Sequence, residues 1–235
     1  MCAIGGEPSY NDCVTRTYGT GSLVRQPPKE IRGYAPIVSP YVRRSALQKY
    51  EKTLSLAKDE RPMQRFFEEN PAALLVGILR PHTGFVLPRQ MLPTPGGGGW
   101  IPDFMVVDFT SIGPQWQIVE LESPVARVTT SKGLLSAKLR TAQQQIEDYR
   151  RHLGKYAGHL RDGGFPIVDG HCHAWIVAGR RKFRNQQEEE RLADFRKYNI
   201  EIVSYDRLAD EIRARVKGNE ASARGLRRLL RGLNS

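Results

Sequence analysis

Two neighbouring apolar segments constrain this chain more than any other feature: IPDFMVVDF at 101–109 and QIVELESP at 117–124. Both are rich in β-branched and large apolar residues, and both read as strands. Asp103 starts the first and Glu120 ends the second, 17 residues on, a separation that suits a hairpin. An antiparallel pair brings those two ends together. Glu122 follows Glu120 by two, so on a strand both project from the same face, beside Asp103. Ile101, Phe104, Ile118, Val119 and Leu121 surround the acids, which sets these charges on core strands rather than on a polar face. Such placement needs a compensating cation or base. Oxygen-only ligands suit a hard ion, Mg2+ or Mn2+, of the kind that serves phosphoryl chemistry. For any one acid alone, a solvated cap or ion-pair partner is the simpler reading; it is the set that points to a site.

The rest of the chain reads as an α/β pattern around that hairpin. Residues 1–45 mix Gly, Pro, Ser, Tyr and Arg without a sustained period and read as an extended arm. From Ser45, Leu47, Tyr50 and Leu54 recur at helical spacing, and MQRFFEENP reads as a second helix stopped before Pro71. Strands are expected at Phe85–Met91, Pro102–Phe109 and Gln115–Leu121, with Gly96–Gly99 as a hairpin linker. A long helix follows over Leu135–Leu153, then a strand in HAWIVAG at 173–179, buried on both faces. Glu188–Tyr198 reads as a charged helix, Glu201–Ser204 as a short strand and Tyr205–Arg215 as a helix. The tail, from Ile212, holds seven basic residues and one acid, with Leu226, Leu229, Leu230 and Leu233 at helical spacing. It reads as a separate basic amphipathic helix. The expected division is an arm at 1–45, a domain at 46–212 and the tail helix at 213–235.

Composition narrows the partners. Thirty-six lysines and arginines against 25 acids leave a net charge of +11 on 235 residues, while 40% hydrophobic content permits a real core. The excess favours a polyanion, DNA above all, and argues against a disordered tail protein. Cys2, Cys13 and Cys172 are too scattered for a disulfide framework or a four-thiolate zinc site. The longest apolar run, Ala72–Leu79, is far shorter than the roughly 20 residues of a membrane helix. A cytoplasmic protein with no membrane partner and no organic cofactor is expected.

Taken together, FFEENPAALL, PDF, IVELESP, a helix carrying QQQIEDYR, and EIVSYDRLAD resemble the Shedu family of anti-phage nuclease domains, a branch of the PD-(D/E)XK phosphodiesterase superfamily. The resemblance runs from about Gln64 to about Ile212. It implies an α/β, restriction-endonuclease-like core, with a mixed central sheet flanked by helices. It also implies a metal-dependent nuclease. Asp103 and Glu120 match the acidic metal ligands of the motif, with Glu122 beside them as a further ligand or general base. Gln145 and Tyr149 match the QxxxY pair of the following helix, and Glu68 or Glu69 corresponds to a first-helix glutamate of the metal shell.

One position departs from the motif. Where a lysine normally stands, two residues after the glutamate, this chain has Glu122. A lysine there orients water and stabilises phosphorane charge, which a glutamate does not do in that way. Lys138, Gln145 and Tyr149 are spaced seven and four apart, which makes Lys138 a candidate for a displaced cation on the same helix face.

Arg180, Arg181, Lys182 and Arg184 are candidate DNA-phosphate contacts. His171, Cys172 and His173 lack a second ligand pair and read as structural, and no phosphate loop or GxSxG element is present. Two rival readings stand beside the nuclease: a catalytically weak nuclease-fold protein that binds DNA or a partner, and an assembly module built on the tail helix. Helices longer than a nuclease core requires favour a homo-oligomer.

Overall fold

The computed structural model describes residues 41–79, 84–110, 113–162, 170–184 and 186–232; the expected arm therefore lies outside the described residues up to position 40. Helix α1, Arg44–Leu56, buries Leu47, Tyr50 and Leu54. Helix α2, Arg61–Glu69, buries Met63, Phe66 and Phe67, and Asn70 closes it with a backbone N–H bond to the Phe66 carbonyl. The sequence places a stop before Pro71 and a strand next. The stop is there, but a third helix, α3, starts at once over Pro71–Leu79. A proline in the first helical turn lacks only an N–H that has no intrahelical partner anyway, so Pro71 ends one helix and opens another. Every residue of α3 from Ala73 to Leu79 is buried, which explains why its apolar run shows no amphipathic period.

Strands β1 (Gly84–Pro88), β4 (Phe104–Thr110), β5 (Gly113–Leu121), β6 (His173–Val177) and β7 (Ile200–Val203) form a mixed five-stranded sheet in the order β1-β4-β5-β6-β7. The first two pairings are antiparallel and the last two parallel. Strands β2 (Leu92–Pro93) and β3 (Gly99–Trp100) make a separate ribbon. Its turn uses Gly97 and Gly98 at φ 85° and 72°, a left-handed geometry that glycine adopts without strain. Strand β1 is shorter than expected because Arg89, next after Pro88, also has a left-handed φ of 46° and turns the chain away.

Helix α4, Ala137–Lys155, starts where the Ser136 hydroxyl accepts the Leu139 N–H. The short α5, Ala157–Asp162, and α6, Gln186–Phe195, follow before and after β6. The expected boundary at 212/213 is not marked by a break: one helix, α7, runs from Tyr205 to Gly232. Ile212 and Val216 are buried in the same core as its first turns, so packing carries the helix through the proposed boundary. No helix among the described residues is long and apolar enough to cross a membrane.

Strand alternation divides the interior into two cores. Val86, Phe104, Val106, Val119 and Leu121 face α1, α2, α3 and α7. Phe85, Leu87, Met105, Val107 and Ile118 face Leu139, Ala142, Ile146 and Tyr149 of α4. The α3–α7 contact is set by a glycine: a Cβ on Gly77 would stand 2.8 Å from Leu208 Cγ. Gly77→Ala is therefore expected to destabilise the protein by roughly 1–3 kcal/mol, through displacement of Leu208. A urea midpoint equal to that of the wild type would overturn this account of the α3–α7 packing.

Candidate functional site

The register Phe104↔Val119 continues to the next pair, so Asp103 lies opposite Glu120 at one end of the β4–β5 hairpin. Two hydrogen bonds close that end. The Asp103 N–H donates to Glu120 Oε1 at 3.2 Å, and the Leu121 N–H donates to Asp103 Oδ2 at 2.9 Å. Each carboxylate thus takes a backbone donor from the other's strand. Val119 and Leu121 enter the α1–α3 core, so Glu120 projects to the α4 side, where it is only 6% exposed. There the Tyr149 hydroxyl donates to it.

Burial and repulsion shape the titration of these groups. Burial foremost, then the Asp103 charge, push Glu120 up to about 8, against the hydrogen bonds from the Asp103 N–H and Tyr149. Burial also raises Asp103, opposed by the Leu121 N–H and the charge of Arg89. Burial raises Glu122, opposed first by the charge of Lys138. Tyr149 is raised by its own burial and by the charge of Glu120.

Glu122 lies just past β5 and is half-buried. Its N–H donates to the Val177 carbonyl at 2.8 Å, and its own carbonyl accepts the Tyr205 hydroxyl at 2.8 Å. The Tyr50 hydroxyl in turn donates to the Tyr205 carbonyl, and the Ser123 hydroxyl to the Lys58 carbonyl. Buried phenols from α1 and α7 thus fix the backbone that carries Glu122. Asp103 and Glu120 form a pair with Glu122 alongside, but among the described residues no three His, Cys, Asp or Glu side chains form a ready-made metal cluster. The donors present are all hard carboxylate oxygens in a desolvated setting with excess negative charge, which suits a hard cation.

The remaining expected residues divide. Tyr149 reaches Glu120 directly; Gln145, one turn earlier, is half-buried, with no hydrogen bond to the acids among the described residues. Lys138 is exposed, with its charge felt by Glu122. Glu68 accepts from Gln64 Nε2 at 3.0 Å and adds negative charge near Asp103. Glu69 instead pairs with Lys49, away from the acids, because it leaves α2 on its exposed side.

The basic run after β6 is paired with acids of the fold. Arg180 pairs with Asp206 at 2.8 Å, Arg181 with Asp210 at 2.8 Å, and Arg184 with Glu189 at 3.5 Å. These ion pairs tie the loop to α6 and α7. Lys182 is exposed over the Phe183 ring. His173 accepts a structural role: its Nδ1 lies 2.7 Å from Asn199 Oδ1, and its ring packs edge-on against Trp175.

Three residues near the acids escaped sequence reasoning. Gln64 is buried and its Nε2 reaches the Asp103 carbonyl at 3.5 Å; a polar residue within the apolar stripe of MQRFFEE was the available signal. Glu60 adds negative charge near Asp103 and Glu122. Arg89 had no local signal, since its place depends on a left-handed turn.

A raised folded-state pKa gives stability that is full below the unfolded value and is lost as pH rises through the folded one. For Glu120 that window runs from the ordinary 4.5 to about 8. With divalent ions removed by EDTA, Glu120→Gln should match wild type near pH 4.5 and gain on it by on the order of 2–4 kcal/mol by about pH 9. Thermal melts across that range check this; a difference independent of pH would show that Glu120 is not held protonated by burial.

The profile of the family described as "Shedu protein SduA, C-terminal" matches residues 57–209, from the end of α1 into α7. A search of curated proteins gives no significant match. The matched span covers well over half of the 235 residues and contains Asp103, Glu120, Glu122, Gln145 and Tyr149, so the chain belongs to the Shedu SduA C-terminal family, a membership that points to anti-phage defence.

Proposed function

We propose that this chain is a metal-dependent DNA endonuclease of the PD-(D/E)XK type, hydrolysing phosphodiester bonds in defence against phage. One observation carries the reading. Two carboxylates that repel one another are fixed side by side, in a desolvated position, by backbone N–H groups rather than by a basic side chain. Placing two acids that way costs stability unless a cation joins them. Asp103 and Glu120, with Glu122 alongside, would hold Mg2+ or Mn2+, which when bound supplies Lewis acidity toward a phosphodiester.

The chain's own residues do the positioning. The Asp103 and Leu121 N–H groups hold one oxygen of each carboxylate, and the Tyr149 hydroxyl fixes Glu120 on the α4 side. Tyr205 and Ser123 anchor the backbone on either side of the Glu122 carbonyl. Lys138 at the start of α4, Lys182 and the basic end of α7 are the remaining candidates for sequence-independent contacts with the DNA backbone.

Purified protein should cleave supercoiled or linear DNA in Mg2+ or Mn2+ and lose that activity in EDTA. Asp103→Asn and Glu120→Gln should each lower the rate by on the order of 100-fold or more, since even residues that only support a metal ligand cost about 10–100-fold. Intact DNA with wild type under all these conditions, or cleavage by the variants at the wild-type rate, would sink the reading.

A second reading, a nuclease-fold protein that binds DNA or a partner without cleaving it, is favoured by Glu122 in the lysine position and by the lack of a closed three-acid cluster among the described residues. Calorimetric titration with Mn2+ separates the two. Heat of binding in wild type that disappears in Asp103→Asn belongs to the nuclease, whereas no heat in either belongs to the binding protein.

A further inference from the structure

Glu122 leaves the acid pair without the base that usually stands on its own strand, so the cations that the fold brings to the pair from elsewhere matter. Register identifies one. Strand β1 ends with Pro88 opposite Phe104, and the next residue, Arg89, donates its N–H to the Asp103 carbonyl at 2.9 Å. Since Asp103 lies opposite Glu120, residues 89, 103 and 120 stand in one row across β1, β4 and β5. Arg89 is exposed at the open end of that row.

Its backbone is the second observation. Arg89 has φ 46°, and the other non-glycine residue with positive φ among the described ones is Asn199. Asn199 is accounted for: it caps a helical turn, its short side chain tolerates that geometry, and its Nδ2 donates to the His171 carbonyl at 2.9 Å. Arg89 has no such local compensation. A left-handed non-glycine residue is strained, and an exposed side chain does not recover that cost by burial. Glycine would serve the turn better. What the arginine adds is a guanidinium whose charge reaches the Asp103 carboxyl, in a geometry able to take two phosphate oxygens at once.

We propose that Arg89 is the phosphate-contacting cation of the Asp103–Glu120 row, gripping the DNA backbone where the motif lysine is absent. The proposal rests on the nuclease reading in taking a backbone phosphodiester as the ligand, but it concerns binding and is separable from cleavage. The strained turn serves as the mount: it directs one cation to the end of an otherwise acidic row. Lys138 bears on Glu122, outside that row, so Arg89 is the cation that acts on Asp103 itself.

The test uses the full chain and a fluorescein-labelled DNA duplex, with Ca2+ replacing Mg2+, and follows anisotropy at several salt concentrations. Arg89→Gly removes the guanidinium and suits the left-handed turn. Its affinity should fall by about 5–10-fold, and the dependence of log K on log salt should become shallower by about one phosphate contact. Arg89→Lys should recover most of the affinity, and the urea midpoint of Arg89→Gly should not fall below wild type. Arg44→Gln, which removes the same unit charge from the exposed start of α1, is the control for bulk charge. Wild-type affinity and slope in Arg89→Gly, a loss no larger than that of Arg44→Gln, or no DNA binding by wild type would each overturn the proposal. The two readings fail separately. Cleavage by wild type with unaltered Arg89→Gly binding removes Arg89's role and keeps the nuclease; a lost phosphate contact in a protein that cuts no DNA keeps Arg89's role and removes the nuclease.

Discussion

The organisation of this protein depends on the reciprocal bond at the mouth of the β4–β5 hairpin. A carboxylate on a buried strand must find donors, and lysine or arginine is the usual partner. Here Asp103 takes the Leu121 N–H and Glu120 takes the Asp103 N–H. The donors are backbone, so they carry no net charge. They fix the carboxylates in place without a compensating charge, so burial still pushes both groups up, and the Asp103 charge pushes Glu120 further. A salt bridge would have satisfied the acids and ended their chemistry. A backbone clamp holds them still and leaves them able to take a cation.

The layers on either side make that clamp rigid. On one side α3 packs against α7 closely enough that Gly77 has no room for a Cβ. Tyr50 and Tyr205, both fully buried, run hydrogen bonds from α1 to the start of α7 and on to the Glu122 carbonyl. On the other side Tyr149, anchored among Leu139, Ala142 and Ile146 on α4, reaches Glu120, and Trp100 of the β2–β3 ribbon packs edge-on against its ring at 5.8 Å. Tyr149 thus holds the Glu120 carboxylate from one layer, and Tyr205 holds the backbone of Glu122 from the other, so the acids are positioned by both layers and not by the hairpin alone.

The sequence showed part of this and hid the rest for identifiable reasons. Asp103 and Glu120 were legible because strand period and hairpin length follow directly from local pattern, and Tyr149 followed from a resemblance that the family match supports. Helix α3 was hidden because a fully buried helix has no polar face, and because proline marks both a stop and a start. The continuity of α7 was hidden because charge, the cue for a boundary, says nothing of burial at Ile212 and Val216. The ion pairs of the arginines after β6 were hidden because a charge run in sequence does not display the acids that meet it, Asp206, Asp210 and Glu189. Arg89 depended on one backbone dihedral, which no residue pattern specifies.

The replacement of the motif lysine by Glu122 then has a physical consequence with two sides. It changes the local charge by two units toward negative, in a place where burial already disfavours ionisation. That strengthens the attraction for a hard dication and weakens the attraction for a phosphodiester. Under the proposed nuclease reading, such a centre would depend more on its metal than one with a lysine, and more on cations supplied from outside the motif. The chain's excess of +11 offers many, but Arg180, Arg181 and Arg184 are spent on internal acids, and proximity to the row is what counts at a Debye length of about 8 Å. Arg89 and Lys138 meet that requirement, because the charge of the first is felt by Asp103 and that of the second by Glu122. In the proposed nuclease the basic surface would bring a polyanion near, and cations mounted at the acids would hold its backbone against them.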